Sequence, residues 1–503
     1  MDAETTGKMH GVFEEVVTRA SDARRQLEEE ARKRLAEKAK EAIERAIQDE
    51  SAETRRERGK ALRDAVPRKS LGEWDPPAGR PDPVALLKSQ DEQRTQELVP
   101  LRHERMGVSA FTFYRGAALI MASDLSMTPA TGITVQACGD AHISNFGFFS
   151  SPEGRTTFDL NDFDETLPGP WEWDVKRLVT SVEICGRDRG FDKKTRRELD
   201  LLCAQTYRAS MLDFAKRGNM EVWYAHADVE QLFEAVSSKM SKKDRKRARK
   251  GLRKAQAKNS ARAVVKLTEM TDEGPRFISD PPIVMPLRDF VDERHLMEVV
   301  SVIGQIFSRY RATLEPDKRN LLGQYRPVDV AHKVVGVGSV GTQAWVVLLV
   351  GARPDDYLVL QIKEAQASVL ERFCGASSAA MHGERVVAGQ RAIQSTADVM
   401  LGWTSARLPG EEGHDFYVRQ LWNGKGSVDL DIISPVELKN FSCAAAWTLA
   451  RSHARTGDRF AIAGYLGKGD AFDRAMAKFA CSYADQNEAD YARFMQAVES
   501  GEL

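Results

Sequence analysis

Hydrophobic residues recur at helical spacing along the first part of the chain. Between positions 12 and 65 a narrow apolar stripe, spaced by three and four residues, runs through Val16, Leu27 and Ile47. This periodicity predicts a helix. Because the stripe is narrow and rich in alanine, we expect a charged, solvated or loosely docked helix rather than a coiled-coil dimer. The proline-rich passage "VPRKSLGEWDPPAGRPDPVALL" comes next and predicts a linker.

The rest of the chain alternates between helical and strand-like patterns. Helical spacing recurs at 109–126, 173–186 and 193–217, and the strand "ITVQACGD" separates the first two helices. From about His332 the pattern changes to β-branched runs with glycine or polar turns, and helical spacing dominates again from Pro435. We therefore predict four segments: an N-terminal charged helix (1–66), a helical catalytic lobe (67–330), a β-rich nucleotide-binding lobe (331–434) and C-terminal helices that pack on the catalytic lobe (435–503).

Composition and charge restrict the class of protein. The 503 residues are 42% hydrophobic and 29% charged, as in a soluble globular protein with two or three domain-sized units. The formal net charge of -1 provides no overall field for nucleic acid or an anionic membrane. The one strongly basic run, 239–266, has no aromatic residues between its charges for base stacking, so we expect a solvated helix face there.

The compartment is predicted from what the sequence lacks. The first residues form no apolar signal-peptide core, and no run of eighteen apolar residues occurs, so neither secretion nor a membrane partner is expected. The cysteines form no CxxC pair, which favours reduced thiols and argues against a zinc site. They are Cys138, Cys185, Cys203, Cys374, Cys443 and Cys481. We expect a cytoplasmic protein.

An acidic stretch carries the first chemical pattern. In "GDAHISNFGFFSSPEGRTTFDLNDFDET", Asn145 follows Asp140 by five positions, and the predicted strand "TTFDLND" then brings Asp162 and Asp164. Kinase-type enzymes take a base and one metal ligand from a loop written D-x-x-x-x-N, and a second ligand from a later D-F-G. We predict Asp140 as the base and Asn145 and Asp162 as Mg²⁺ ligands. Asp164, with His142, is a candidate for a second metal site, although a loop histidine is more often a brace. The alternative is a solvated acidic loop.

A glycine-rich turn carries the second pattern. Gly336, Gly338 and Gly341, with Ser339, fit G-x-G-x-x-G between two predicted strands. A dinucleotide-binding fingerprint needs a helix directly after the glycines, whereas the kinase glycine loop covers the phosphates from a strand-rich lobe. The apolar, β-branched run "QAWVVLLVG" after the turn favours the hairpin. We therefore predict that these residues bind the nucleotide.

The third strand of this region places a lysine near the turn. In "YLVLQIKEA" the side chain of Lys363 alternates with the row that begins at Leu358, so it faces the side of the glycine turn. A phosphate-binding lysine is expected there, and Glu384 on the next helix is its candidate acidic partner, with Glu371 behind it. An ordinary glycine hairpin and an exposed lysine are the alternatives.

The two patterns occur in the reverse of the order in kinases. There the glycine loop and lysine precede the catalytic loop, whereas here they come after it. The only candidate for a later catalytic loop, "LARSHARTGDRFAIA", has Ala463 rather than an amide five positions after Asp458. We therefore predict an α+β, protein-kinase-like two-lobed fold that is circularly permuted, since permutation is tolerated at exposed connections.

These residues also carry a family resemblance. The segments "RPDPVALL", "FYRGAA", "GDAHISNFG", "FDLNDFDETLPGPWEWDVKRL", "VGVGSVGT", "LQIKEA", "YVRQL" and "HARTGD" resemble the bacterial family numbered 2252 among domains of unknown function, from roughly Gly59 onward. This likeness implies a bacterial origin but no reaction.

A more distant resemblance concerns the acidic stretch and the start of the predicted helix after it. "GDAHISNFG" through "PGPWEWDVKRL" resembles the aminoglycoside phosphotransferase and choline kinase group, whose pattern is H-G-D-x-x-x-x-N, then I-D-x-x-D, then D-L. The usual histidine before Gly-Asp is Cys138 here. The resemblance implies a base, two metal ligands and a structural anchor: Asp140, Asn145 and Asp162, and Asp174.

Both patterns together predict an ATP- and Mg²⁺-dependent phosphotransferase. We expect its acceptor to be a small molecule rather than a protein; the sequence does not identify it. Transfer of AMP by the same residues is an alternative. A third hypothesis is a non-catalytic nucleotide-binding scaffold that engages a protein partner through the N-terminal helix.

Overall fold

The computed structural model describes most of the chain from residue 50 onward. The described residues are 50–230, 242, 245–246, 249–250, 260–272, 274–289, 291, 293–334, 336, 340–353, 355–406, 413–421, 424 and 426–503. Contacts group the chain into two compact units, 1–55 and 56–503. The predicted helix before residue 50 and most of the basic run at 239–266 lie outside the described residues. The boundaries predicted at 330 and 434 stay predictions.

Helices dominate on either side of a strand-rich stretch. They are α1 (Ala52–Ala65), α2 (Pro83–Asp91), α3 (Val99–Met106), α4 (Ala110–Gly116), α5 (Ala118–Ser126), α6 (Trp171–Asp188), α7 (Lys193–Phe214), α8 (Asn219–Tyr224), α9 (Ser260–Leu267), α10 (Glu293–Ala312), α11 (Pro316–Leu322), α12 (Glu371–Cys374), α13 (His382–Ile393), α14 (Pro435–Thr456), α15 (Arg459–Leu466) and α16 (Ala471–Glu499). The predicted helix at 109–126 is two helices, because the backbone leaves helical geometry at Ala117 (φ -103°, ψ 31°).

The strands pair only in antiparallel fashion among the described residues, which gives an α+β architecture. They are β1 (Thr134–Ala137), β2 (Phe146–Ser150), β3 (Thr156–Leu160), β4 (Leu167–Pro170), β5 (Ala227–Asp228), β6 (Thr268–Thr271), β7 (Gly274–Phe277), β8 (Val284–Pro286), β9 (Arg326–Lys333), β10 (Ala344–Val350), β11 (Tyr357–Glu364), β12 (Gly402–Ala406) and β13 (His414–Gln420).

The largest sheet has six strands in the order β12-β13-β11-β10-β9-β8. Both of its faces are covered. Val359 lies in one apolar cluster, whereas Leu358 and Leu360 on the same strand lie in another. The alternation in β11 therefore marks two buried faces rather than one buried and one exposed face. Helix α13 follows β11 in the chain and packs against β12 and β13.

The helical core combines segments from before and after this sheet. Helix α14 packs on α7, and α16 packs on α6 and α7. At their centre the rings of Trp171 and Tyr207 stack with centroids 5.8 Å apart, and the ring of Phe472 lies 5.6 Å from that of Trp171. The C-terminal helices thus complete the core that holds the acidic stretch.

The first described residues bear on two predictions. Most of helix α1 is exposed, and the helix docks near its middle, as the loosely docked form of the prediction allows: Gly59 is buried, and a β-carbon there would lie 1.9 Å from the carbonyl oxygen of Ala461. The prediction that the proline-rich passage is a linker is wrong. Arg80 within it donates to Asp124 at 2.8 Å and to Asp490 at 2.5 Å, and all three side chains are at least 90% buried.

The length and apolar character of the helices bear on the prediction that the chain has no membrane-spanning segment. Within the described residues, no helix combines the length and the apolar character that crossing a bilayer requires.

Candidate functional site

The loop that carries Asp140 connects β1 to β2 and is anchored from α6. Pro170 precedes α6, so Asp174 falls in the first turn of this helix. Its carboxylate accepts hydrogen bonds from the backbone N–H of Cys138 at 2.7 Å and of Gly139 at 3.0 Å. His453 lies 3.2 Å from the same carboxylate. These contacts hold the loop against the first turn of α6.

Asp140 lies among polar groups at the mouth of this loop. Arg177 Nε donates to Asp140 Oδ1 at 2.5 Å, and His142 Nε2 lies 3.5 Å from Oδ2. The side chain of Asp140 is 19% exposed, while those of Arg177 and His142 are buried. Burial first, and then the charges of Arg177 and Arg115, lower the pKa of His142 well below its usual value. This shift favours the neutral imidazole, and both predicted roles of His142 stay predictions.

Asn145 is held against Asp140 by its amide nitrogen. Nδ2 donates to the backbone oxygen of Asp140 at 2.8 Å and contacts the carboxylate Oδ2 at 3.3 Å. The backbone oxygen of Asn145 accepts from the N–H of Asn161 at 2.8 Å. This bond brings the end of β3, and with it Asp162, next to the loop.

Asp162 and Asp164 flank the buried ring of Phe163 just after β3. The backbone N–H of Asp164 donates to Asp162 Oδ1 at 3.2 Å. Burial, and then the neighbouring charge of Asp164, raise the pKa of Asp162. For Asp164 the net shift has the opposite direction: burial alone would raise its pKa, but the charge and hydrogen bond of Lys363 and the hydrogen bond of Tyr417 lower it.

Lys363 reaches this acidic pair from β11. Its ammonium forms an ion pair with the carboxylate of Asp164, and Tyr417 donates to the same carboxylate at 2.8 Å. Tyr417 lies directly opposite Lys363 on β13. Although burial alone would lower the pKa of Lys363, the charge of Asp164 raises it, so the lysine is protonated. The alternative of an ordinary exposed lysine is wrong, because only 4% of this side chain is exposed, whereas its role in phosphate binding stays a prediction.

Glu384, the predicted acidic partner of Lys363, makes other contacts. Glu384 in the first turn of α13 accepts from the backbone N–H of Ala380 at 3.2 Å. Glu371 accepts from the N–H of Ser368 at 3.1 Å and lies 3.7 Å from Arg385. Since the carboxylate that contacts Lys363 is that of Asp164, the pairing with Glu384 is corrected. Arg385, also on α13, donates instead to the backbone oxygens of Asp164 and Thr166.

The glycine turn joins β9 to β10 and ends beside Lys363. Gly336 and Gly341 have φ angles of 76° and 89°, which favour glycine. Gly338 and Ser339 lie outside the described residues. Ala344, at the start of β10, pairs with Lys363 in the antiparallel ladder. A strand–glycine turn–strand unit, as predicted, therefore leads to the lysine that contacts Asp164.

The predicted metal ligands form a small oxygen set. Because the Asn145 amide nitrogen donates to Asp140, its side-chain oxygen is the atom left for a cation. Oxygen donors of this kind are those that Mg²⁺ prefers, with water and phosphate oxygens completing the shell. No group of three or more His, Cys, Asp or Glu side chains is placed to hold a metal in the part of the chain that the structure describes.

Sequence reasoning missed several cations and a tyrosine at this site. Arg177 lies on α6, and the apolar helical pattern of this segment gives no sign of its contact with Asp140. Tyr417 and Arg419 occupy alternate positions of β13, in "YVRQL", and Arg419 donates to the backbone oxygen of Asn161 at 3.2 Å. Tyr417 pairs with Lys363 in the sheet, and Arg419 lies two residues further along the same strand. This alternation is the sequence signal that could have identified both residues.

The comparisons with known proteins add one match. The model of a family described as "Uncharacterized protein conserved in bacteria (DUF2252)" matches residues 94–497. No curated protein and no solved structure matches the chain.

Proposed function

We propose that this chain, which belongs to that family of uncharacterized bacterial proteins, transfers a phosphoryl group from Mg-ATP to a small molecule. The observation that carries the proposal is the contact between Lys363 and Asp164. It joins a lysine on the strand after a glycine hairpin to an acid two residues from Asp162, next to a D-x-x-x-x-N loop. A lysine, a metal-binding acid and a loop base are the shared parts of kinase-type sites.

The order of elements around the lysine supports the same proposal. A glycine turn connects β9 and β10, Lys363 lies on the next strand, β11, and helix α13 comes after it. Kinases also place their glycine-rich loop before the lysine strand and a helix after it. Here this unit follows the catalytic loop in the chain. The proposal therefore includes a circularly permuted, kinase-like arrangement.

Each residue then has a definite task. Asp140 accepts the proton of the attacking hydroxyl, and the guanidinium of Arg177, at 2.5 Å, orients its carboxylate. Asp162 and Asn145 would hold Mg²⁺, which neutralises the phosphate charge when it is bound. Lys363 turns from Asp164 toward the nucleotide phosphates, while Tyr417 keeps its hydrogen bond to Asp164.

The test uses ATP labelled separately at the α- and γ-phosphorus, with the small-molecule fraction of a bacterial extract as acceptor. We expect label from the γ-position in a new product, and loss of that product with the Asp140→Asn variant. A product labelled only from the α-position would show that the protein transfers AMP rather than a phosphoryl group. If the wild-type protein shows no Mg²⁺-dependent binding of ATP in equilibrium measurements, the proposal is wrong.

A further inference from the structure

The segment that runs from Gln93 through α3 contacts the glycine turn at both of its described ends. Arg94 Nη1 donates to the backbone oxygen of Val340 at 2.6 Å, and the N–H of Thr95 donates to that of Gly341 at 2.8 Å. On the other side, Arg105 Nη1 donates to the backbone oxygen of Gly336 at 2.5 Å. The carbonyls at both ends of the turn are thus bound by one stretch of chain that lies far away in sequence.

Apolar packing accompanies these hydrogen bonds. Leu98 and Leu101 form a small cluster with Val334, which precedes Gly336, and Val340, which directly precedes Gly341. A β-carbon at Gly341 would lie 3.0 Å from the Arg94 side chain. The arginine therefore packs closely on the turn as well as binding its backbone.

The same segment is fixed to the helical part of the molecule. Arg102 donates to Asp91 Oδ1 at 2.6 Å, and His103 Nε2 lies 2.8 Å from Oδ2 of the same carboxylate. Arg102 and His103 are buried. Arg102 also donates to the backbone oxygen of Gly116 at 3.4 Å, and α3 packs on α4, so the segment contacts both the helical part of the molecule and the turn.

We propose that residues 94–105 are a positioning element that sets the place of the glycine turn relative to the catalytic loop. The inference rests on the proposed function only for its consequence, which is that Arg94 and Arg105 tighten nucleotide binding without touching the reacting atoms. A glycine hairpin bound only within its sheet loses conformational freedom when a nucleotide arrives, and this ordering weakens binding. A turn already bound at both ends has its position set before the nucleotide arrives.

The first measurement does not need a nucleotide. Hydrogen exchange of a peptide spanning 334–344 is compared in the wild type, Arg94→Ala and Arg105→Ala. Loss of a hydrogen bond to a charged donor should speed exchange there by roughly 10- to 100-fold. Arg353→Ala is the matched control, since Arg353 is exposed and pairs only with Asp355 in the turn after β10. Unchanged exchange in both variants would overturn the proposal.

A second variant separates a local effect on the turn from a general loss of stability. If Arg94→Ala melts well below the wild type, Thr95→Pro removes only the N–H that binds Gly341, and the φ of -62° at Thr95 already suits proline. Faster exchange at 334–344 with an unchanged melting temperature supports the element. Exchange equal to that of the wild type contradicts it.

The second measurement tests the consequence. For Arg94→Ala we expect the Kd and KM of Mg-ATP to rise roughly tenfold, while kcat stays close to that of the wild type because the loop of Asp140 is untouched. Faster exchange with unchanged ATP affinity would contradict the role in nucleotide binding. If the wild type itself binds no ATP, the proposed function fails, whereas the exchange result still decides whether the segment holds the turn.

Discussion

Lys363 and Asp164 form a buried ion pair although 199 residues separate them in the chain. This pair joins the strand-rich and the helical parts of the site. Asp164 remains 28% exposed, so one side of the pair is open to a ligand. We therefore expect removal of either partner to affect folding and, in the proposed site, ligand binding.

Replacement of Lys363 by Met should lower stability as well as nucleotide affinity. Loss of one member of a buried pair costs about 3–5 kcal/mol, and the exposure of Asp164 reduces this to about 1–3 kcal/mol. The double variant Lys363→Met, Asp164→Asn should regain part of the stability, because no unpaired charge is left. Thermal unfolding and ATP titration of both variants are the measurements. Wild-type stability in the single variant would show that the pair contributes nothing to folding.

Asp140 and Asp162 should differ in what their loss removes. Asp140→Asn should reduce turnover by roughly 10²- to 10⁴-fold with Mg-ATP binding retained, as expected for a base. Asp162→Asn should lose the Mg²⁺ dependence of ATP binding together with turnover. Asp355→Asn, at an exposed carboxylate, is the control. ATP titrations with and without Mg²⁺ separate the two roles, and an equal loss of affinity in both variants would contradict them.

Gly139, directly before Asp140, should tolerate no side chain. Its φ is 79°, and a β-carbon would lie 2.3 Å from the backbone oxygen of Glu165. Gly154 has nearly the same φ, 78°, with nothing within 4 Å, so Gly154→Ala measures the conformational cost alone. We expect Gly154→Ala to lose about 1–2 kcal/mol. Gly139→Ala should lose more, and turnover with it. Equal losses of stability and activity would show that the close contact is unimportant.

Because the pKa of Glu165 is raised in the folded protein, the free energy of unfolding should fall as the pH rises from 4.5 to 7. Burial, and then the charges of Asp140 and Asp164, raise its pKa to about 7, against the opposing effects of Val369 and Arg385. The folded protein holds this proton between pH 4.5 and 7, whereas the unfolded chain releases it. Stability from this group is full below pH 4.5 and is lost as pH rises through 7, by about 1–3 kcal/mol. Glu165→Gln should flatten this part of the profile. An unchanged profile in urea unfolding would contradict it.

Arg80 should be one of the most important side chains for stability. Its loss leaves Asp124 and Asp490 buried without their shared cation, and we expect Arg80→Met to cost about 3–5 kcal/mol. Arg353→Met, at an exposed position, should cost little. Urea unfolding of the two variants is the comparison. Similar midpoints would mean that the passage around Arg80 behaves as the linker that its prolines predict.

Local sequence patterns predicted the strands and turns that carry the candidate residues. Which side chains contact each other depends on contacts between residues far apart in the chain, and these were not predicted. The strand pattern of "YLVLQIKEA" places Lys363 on the correct strand and face, because period-two alternation depends only on neighbours. It does not show that the sheet is covered on both faces, so the burial of Lys363 was not predicted. Glu384 was chosen by analogy with a kinase helix, yet Asp164 is the carboxylate that contacts the lysine. The contact of Arg94 with Val340 spans 246 residues and leaves no local signal.

Helix α16 has a consequence for how the chain is made. It completes the core around α6 and α7, and its Asp490 binds Arg80 across 410 residues. A ribosome therefore synthesises the acidic stretch long before the lysine that pairs with Asp164, and α16 is made later still. Such distant contacts slow folding and prolong the life of partly assembled intermediates. A messenger truncated before α16 yields a chain with an open core, which chaperones and proteases remove before it can act.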